Sequence, residues 1–516
     1  MHEIITLQLG QLSNYAATHF WNTQESYFTY SGQDQSPVNH DVHWRSGVAL
    51  DGSDTFLPRT VVYDLKGGFG SLRKINALYD ASDDETPAHL WEGAPQVFKH
   101  PQIDPSAYQK SLDLGTYAPA MKQTDVRYWS DYSRVFYHPK SLNQLHDYEL
   151  NSSIMPFDKN CLGRELFDAL DKEHDIVDRD VRPFVEEADQ MQGLQLMTTI
   201  DDAWGGFASE YLERLRDEYG KVTIWAWGLQ SPVPTTRDHQ RLQMANTARA
   251  VKDLCENVSM LVPLALPQTR FRPNIDVDLQ SPWHTAALLS TAMETAGIAS
   301  RLNTHAYGSG LRATLSHLVS GLNLRGKQTM SRLQMSVGNP TRDWAVVDQT
   351  PPSKLDADNA DDAELDIDFF DILRKKTMAR RGSPHYTNKD PHFFGRSITT
   401  RGFSSASDKF EEQRSRQRGA LLETSIQRYH TNNGFPLIDS FPRVFLDHKT
   451  EPFSGAIGIK TQLSTDTSVS VSMKALRLTV ASSIGLEDRE HISNELADLA
   501  EAYREGWSSG SDDDDE

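Results

Sequence analysis

The clearest alternation of apolar and polar positions lies between Leu194 and Leu229. Leu194–Ile200 is an apolar, β-branched-rich run of strand length, and Asp201-Asp202-Ala203-Trp204-Gly205-Gly206 reads as a tight turn closed by its glycines. Phe207, Tyr211, Leu215 and Tyr219 then recur every four residues, with Glu210, Glu213, Arg214, Arg216, Asp217 and Glu218 covering the other side. That spacing predicts a helix with one apolar face. Lys221–Leu229 reads as a second, more buried strand. Strand, turn, helix and strand form a βαβ unit, which implies a parallel sheet with a right-handed crossover.

In nucleotide-binding α/β folds the turn before such a helix cradles phosphate, because free N–H groups and the positive end of the helix dipole converge there. Here the turn begins with Asp201 and Asp202. Two carboxylates suit N-capping and the dipole, but they repel a triphosphate unless a metal intervenes.

The same reading extends along the chain. Ile4–Leu9 is a strand, Gly10-Gln11 a turn and Leu12–Trp21 a helix; Thr60–Tyr63 is a strand, Asp64–Gly70 a glycine-bearing loop, and a helix begins near Ser71. Gln123–Leu142 is aromatic and basic, fit either to stack on a base and grip phosphate or simply to pack. Asn160–Asp189 is amphipathic and helical, with Pro183 starting a new helix. Arg241–Asn257 and Trp283–Leu302 are helices. Farther on, Phe435–Phe445 suits two short strands or a strand with turns, and Ser468–Ile484 alternates like a strand. Glu490–Trp507 is a helix striped by Ile492, Leu496, Leu499 and Tyr503.

Composition narrows the classes. A chain of 516 residues has room for two or three domains. A net charge of −20 argues against direct nucleic-acid binding, which needs clustered Lys and Arg. Cys161 and Cys255 are the only cysteines, which excludes a disulfide framework and a cysteine zinc site. No apolar run reaches the length of a membrane span; Val258–Leu266 is short and broken by Pro263. The opening MHEIITLQLG has neither signal-peptide nor presequence character, so association with an organelle is expected to be peripheral or to use an internal signal. Asp343–Asp371 is acidic and Arg374–Arg418 basic and Ser-rich. Such opposed blocks read as a mobile charged insertion, whose basic half is either a solvated loop or a contact for anionic lipid headgroups.

Taken together, EIITLQLGQLSNYAATHFW, LPRTVVYDLKGG and DQMQGLQL with the helix ending LERLRDEY resemble the tubulin/FtsZ superfamily, and within it the Misato/Dml1 family of tubulin-like proteins. The matches are collinear over roughly the first half of the chain. The resemblance implies an α/β fold: a tubulin-like, parallel-sheet nucleotide-type domain followed by a mixed α+β second domain. The first domain comprises an N-terminal segment, 1–116, and a tubulin-like domain, 120–303. The second takes 304–342 and 419–507, with the charged insertion at 343–418 and an acidic tail at 508–516.

By the same resemblance, Gly10, Gln11, Asn14, Asp64, Gly67, Gly68, Gly205, Gly206 and Asn246 surround a vestigial GTP pocket. The departures bear on chemistry. The tubulin glycine loop is replaced by DDAWGG, with Trp204 filling space a phosphate needs. Lys66 stands where the family's Mg²⁺-linked acid falls; an ammonium can approach phosphate but supplies no oxygen to the metal. Residues 261–266 are wholly apolar where tubulins complete the base site, and no carboxylate accompanies Asn323 to orient water. The expectation is therefore no catalytic residue, no metal site and no cofactor, with GTP as the alternative ligand. The Misato/Dml1 resemblance implies a role in mitochondrial partitioning, distribution and morphology and in inheritance of mitochondrial DNA. It implies a scaffold or adaptor at the outer mitochondrial face and in the cytoplasm, with cytoskeletal or mitochondrial-surface proteins as partners. The alternative is a GTP-binding, assembling GTPase with an unconventional pocket.

Overall fold

Successive apolar runs separated by helices pair into one parallel sheet. The computed structural model describes residues 3–29, 35–48, 54–72, 103–233, 235–267, 271–303, 312–338, 367–373, 391–402, 425–447, 451–453, 455–483 and 486–504. Strand β1 (Glu3–Leu9) runs through Gly10 into helix α1 (Gln11–Glu25). An antiparallel pair, β2 (Trp44–Val48) with β3 (Asp54–Pro58), precedes β4 (Thr60–Lys66). Helix α2 (Ala107–Asp113) and β5 (Leu142–Glu149) follow, then α3 (Asn160–His174), a π-helical turn at Val177–Val181 and α4 (Arg182–Glu187). The unit that dominates the sequence is β6 (Met191–Thr199), α5 (Ala203–Glu218) and β7 (Thr223–Leu229), continued by α6 (Arg237–Asn257) and β8 (Met260–Leu264). The sheet order is β5-β4-β1-β6-β7-β8, with every pairing parallel. Pro263 is tolerated because β8 closes the end of that order.

Both faces of this sheet are covered, as all-parallel sheets require. Ile5, Leu7, Val61, Tyr63, Leu194, Leu196, Ile224 and Ala226 pack with Phe207, Tyr211 and Leu215 of α5. Alternate positions, including Val62, Met197, Trp225, Trp227 and Val262, join Tyr15, Phe20 and Trp21 of α1. The period of two along β4 thus sends Tyr63 to one layer and its neighbour Asp64 to the other.

The remaining elements are α7 (Pro282–Gly297), α8 (Leu315–Leu322), β9 (Arg332–Gly338), β10 (Ile367–Asp368), β11 (Phe393–Arg401), β12 (Ser425–Thr431), β13 (Phe435–Leu437), β14 (Gly455–Asp466), α9 (Thr467–Ser483) and α10 (Leu486–Ala502). They build a second, mixed sheet, β10-β9-β14-β11-β12, in which β11 and β12 run parallel and the other neighbours antiparallel. An α/β architecture with a following mixed sheet is the fold that the sequence implied.

Three local expectations are corrected. Residues 343–418 are not a single charged insertion. Ile367, Phe369 and Ile372 are buried, and β11 is an interior strand of the second sheet. Arg401 of β11 explains why a charged stretch enters the core: it pairs with the buried Glu294 of α7, which also accepts from Arg301 Nη2 at 2.9 Å and Tyr27 Oη at 2.8 Å. Residues 467–483 form a helix, not a strand, because the buried Val469, Met473, Leu476 and Val480 keep helical spacing. Gly205 and Gly206 belong to α5 itself and not to a turn before it. The helix expected from Ser71, the bulk of the basic segment (374–390 and 403–418) and the tail at 508–516 lie outside the described residues.

Candidate functional site: a cavity at the carboxyl ends of the parallel strands

Ligand sites of open α/β sheets lie beyond the carboxyl ends of the strands. A cavity of about 390 Å³ sits there, lined by Gln11 after β1, Leu65 of β4, Glu149 of β5, Thr199 of β6 and Ser231 after β7, and also by Tyr15, Phe157, Asp158, Asp202 and Trp204. The turn from β6 to α5 forms its floor. Asp202 caps α5: its Oδ1 accepts from Trp204 N at 2.9 Å and from Thr199 Oγ1, and the Gly205 N–H also donates to the carboxylate. The positive end of the helix is thereby satisfied by the chain's own anion. Burial, and then the adjacent Asp201 carboxylate, raise the Asp202 carboxyl above the usual range.

Trp204 occupies the other half of the seat. Its side chain is buried against Phe157 and Phe207, with ring centroids at 5.3 Å and 5.6 Å. It lies directly over Gly10, whose φ is +85°; a Cβ on Gly10 would fall 2.5 Å from Cδ1 of the indole. The glycine thus makes room for an indole in a pocket whose other half holds a carboxylate.

Gly205 and Gly206 are small for packing reasons. A Cβ on Gly206 would lie 2.0 Å from the Asn160 carbonyl oxygen, and one on Gly205 would lie 2.9 Å from the Ala250 Cβ. Gly163 of α3 answers them, since its Cβ would lie 1.8 Å from the Ala203 carbonyl oxygen. These glycines let α3 and α6 approach α5 at backbone distance.

The second anion position is filled in the same way. The buried Asp64 carboxylate accepts from Asn14 Nδ2 at 2.9 Å, Trp129 Nε1 at 3.0 Å and its neighbour's amide, Leu65 N, at 2.9 Å. Gly68 closes over it so tightly that a Cβ there would meet Asp64 Cγ at 2.4 Å. Burial raises the Asp64 carboxyl to about 6 against the pull of its three donors. The Gly67–Gly70 loop therefore wraps the chain's own carboxylate; Gly67 itself sits at the exposed tip with φ +86°. Lys66 is exposed beside it.

Of the residues singled out in the sequence, Gln11 lines the cavity and Gly10 abuts it through Trp204. Asn14, Asp64 and Gly68 form one buried knot. Asn246 stands apart. Its Nδ2 donates to the carbonyls of Asp158 at 2.6 Å and Asp201 at 3.1 Å, and its Oδ1 accepts from Asn160 N at 3.0 Å. That amide clamps the loop before α3 to the turn before α5. Sequence reasoning missed Trp129, Phe157 and Asp158; the aromatic density of 123–142 signals the first, whereas 150–158 carries no periodic cue. Among the described residues no cluster of three metal-ligating side chains occurs, and no helix is long and apolar enough to cross a membrane.

The comparisons with known proteins agree with this frame. Residues 2–114 match the Misato Segment II tubulin-like domain, and residues 118–302 match a tubulin domain. Among curated proteins, the chain is 47% identical to "Protein dml-1" of Neurospora crassa and 46% identical to "Protein DML1" of Gibberella zeae, each over 100% of both chains. It is 27% identical to "Protein DML1" of Yarrowia lipolytica, again over 100% of both.

Proposed function

Because the chain belongs to the Dml1/Misato family of tubulin-like proteins, we propose that it is a non-enzymatic scaffold or adaptor that acts in partitioning mitochondria and in inheritance of mitochondrial DNA. The observation that carries the non-enzymatic part is the filled seat: the Trp204 indole over Gly10 and the Asp202 carboxylate on the first amides of α5. A nucleoside triphosphate placed there meets a carboxyl group and an indole where it needs open amides and a cation. The Asp64 knot removes a second anion position. The mitochondrial part rests on the family resemblance. With it goes the reading that the chain works at the outer mitochondrial face and in the cytoplasm, with cytoskeletal or mitochondrial-surface proteins as partners.

The competing reading, a GTP-binding protein that assembles, draws on the cavity itself and on Gln11 in its wall. The two separate in cells depleted of the endogenous protein. A chain bearing Gln11→Ala should restore the mitochondrial network and its DNA segregation at division as well as the unmodified chain does. Failure of that variant, with normal abundance and melting and with loss of a Mg²⁺-dependent GTP binding that the unmodified chain shows, sinks the adaptor reading. So does stoichiometric phosphate release from GTP by the purified chain.

A further inference from the structure

The cavity keeps about 390 Å³ after the anion seat is filled, within the range of ligand sites. Its charged lining is of one sign: Glu149, Asp158 and Asp202, with no Lys, Arg or His among the described lining residues. Its aromatic lining comes from Tyr15, Phe157 and Trp204. Asp158 lines it, although its Oδ1 is itself shielded from solvent and meets no hydrogen-bond donor among the described residues. An aromatic wall beside carboxyl groups is the environment that holds an organic cation. The loop that runs from Glu149 of β5 to Asp158 also carries Ile154 at 89% exposure and Met155 at 55%. Two apolar side chains presented to solvent beside an acidic cavity mark a rim on which a protein segment can rest.

We propose that the cavity is a socket for the guanidinium or ammonium group of a basic residue on a partner protein, with apolar neighbours of that residue resting on Ile154 and Met155. Charge complementarity selects this occupant over an acidic or phosphorylated one. The socket rests on the reading that no nucleotide fills the cavity, and it gives the adaptor a defined point of attachment. The charged head enters between Asp158 and Asp202, and its aliphatic stem lies along Phe157 and Trp204.

Calorimetric titration of the full chain with acetyl-Leu-Arg-Leu-amide, and with the same peptide carrying citrulline for arginine, tests this. Citrulline keeps the shape and removes the charge. The arginine peptide should bind saturably and the citrulline peptide about tenfold more weakly or worse. Asp202→Asn and Asp158→Asn should each weaken the arginine peptide several-fold. Asparagine is as good an N-cap as aspartate, so Asp202→Asn retains the helix start. Equal binding of the two peptides to the unmodified chain, or arginine binding untouched by both variants, overturns the socket. Butylguanidinium binding as tightly as the peptide overturns the assignment to a protein partner. Mg²⁺-dependent GTP binding would instead remove the adaptor reading. Failure of both GTP and peptide to bind removes the socket alone.

Discussion

Gly10 and Trp204, far apart in sequence, are in such close contact that a Cβ on the first would reach to 2.5 Å from Cδ1 of the second. Gly10 also has φ +85°, in the region where L side chains are strained. Gly10→Ala should therefore destabilise the fold by about 2 kcal/mol or more, combining the clash and the dihedral. Trp204→Ala alone should cost about 3–5 kcal/mol by leaving a cavity. In the double variant the clash disappears, so the two effects should fall short of additivity by about 1–2 kcal/mol. Urea unfolding of the four chains gives the cycle; strict additivity would mean that the two residues are not in contact.

Gly206 distinguishes packing from ligand binding. Its Cβ position lies 2.0 Å from a backbone oxygen of α3, which cannot swing aside as a side chain can. Gly206→Ala should cost about 2–4 kcal/mol without any ligand present. A glycine kept only for a phosphate would tolerate alanine, so an unchanged urea midpoint would contradict the packing role.

Asp64 links the core to pH. Its folded-state value of about 6 lies above the ordinary carboxylate value of 3.8. Protonation therefore favours the folded chain. The contribution is fully present below about pH 4 and is lost as pH rises through about 6. Relative to Asp64→Asn, the unmodified chain should gain about 2 kcal/mol on going from pH 7 to pH 4.5. The asparagine variant itself should lose about 1–2 kcal/mol, because an amide cannot accept from Asn14, Trp129 and Leu65 on both sides. Parallel unfolding at the two pH values checks both; an identical pH response in the two chains would mean that Asp64 is ionised throughout.

Glu294 holds Arg301 and Arg401, all three buried. Glu294→Gln leaves two guanidinium groups with a neutral partner in the core, and should cost about 3–5 kcal/mol. Because Arg401 belongs to β11 and Glu294 to α7, the loss should loosen the two together. Hydrogen exchange of Ile398–Arg401 reads that directly: protection equal to that of the unmodified chain would show that the pair does not anchor the strand.

Much of the frame was legible because parallel strands and their helices carry their own periodicity. The β6–α5–β7 unit, the start at Ile4 and the Asp201-Asp202 cap follow from pattern and capping chemistry alone. The uses of the glycines did not follow. Gly206 and Gly163 meet only after α3 packs on α5, and nothing local in either segment tells a close helix approach from a phosphate turn. The Asp64 knot escaped for the same reason, since its donors come from Asn14, Trp129 and Leu65. Residues 467–483 misled because VSVSM satisfies a period of two as well as helical spacing, and the exposure of Val471 between the buried Val469 and Met473 decides for the helix. Strand β11 was hidden by charged flanks, although the paired Arg401 is itself a core residue.

Equilibrium dialysis of labelled GTP against the purified full chain, with and without Mg²⁺, meets the central claim head on. A seat filled by Trp204 and Asp202 predicts no saturable binding up to about 50 μM nucleotide in either condition, which means binding weaker than about −6 kcal/mol. Saturable micromolar binding that appears with Mg²⁺ and vanishes without it would contradict the account.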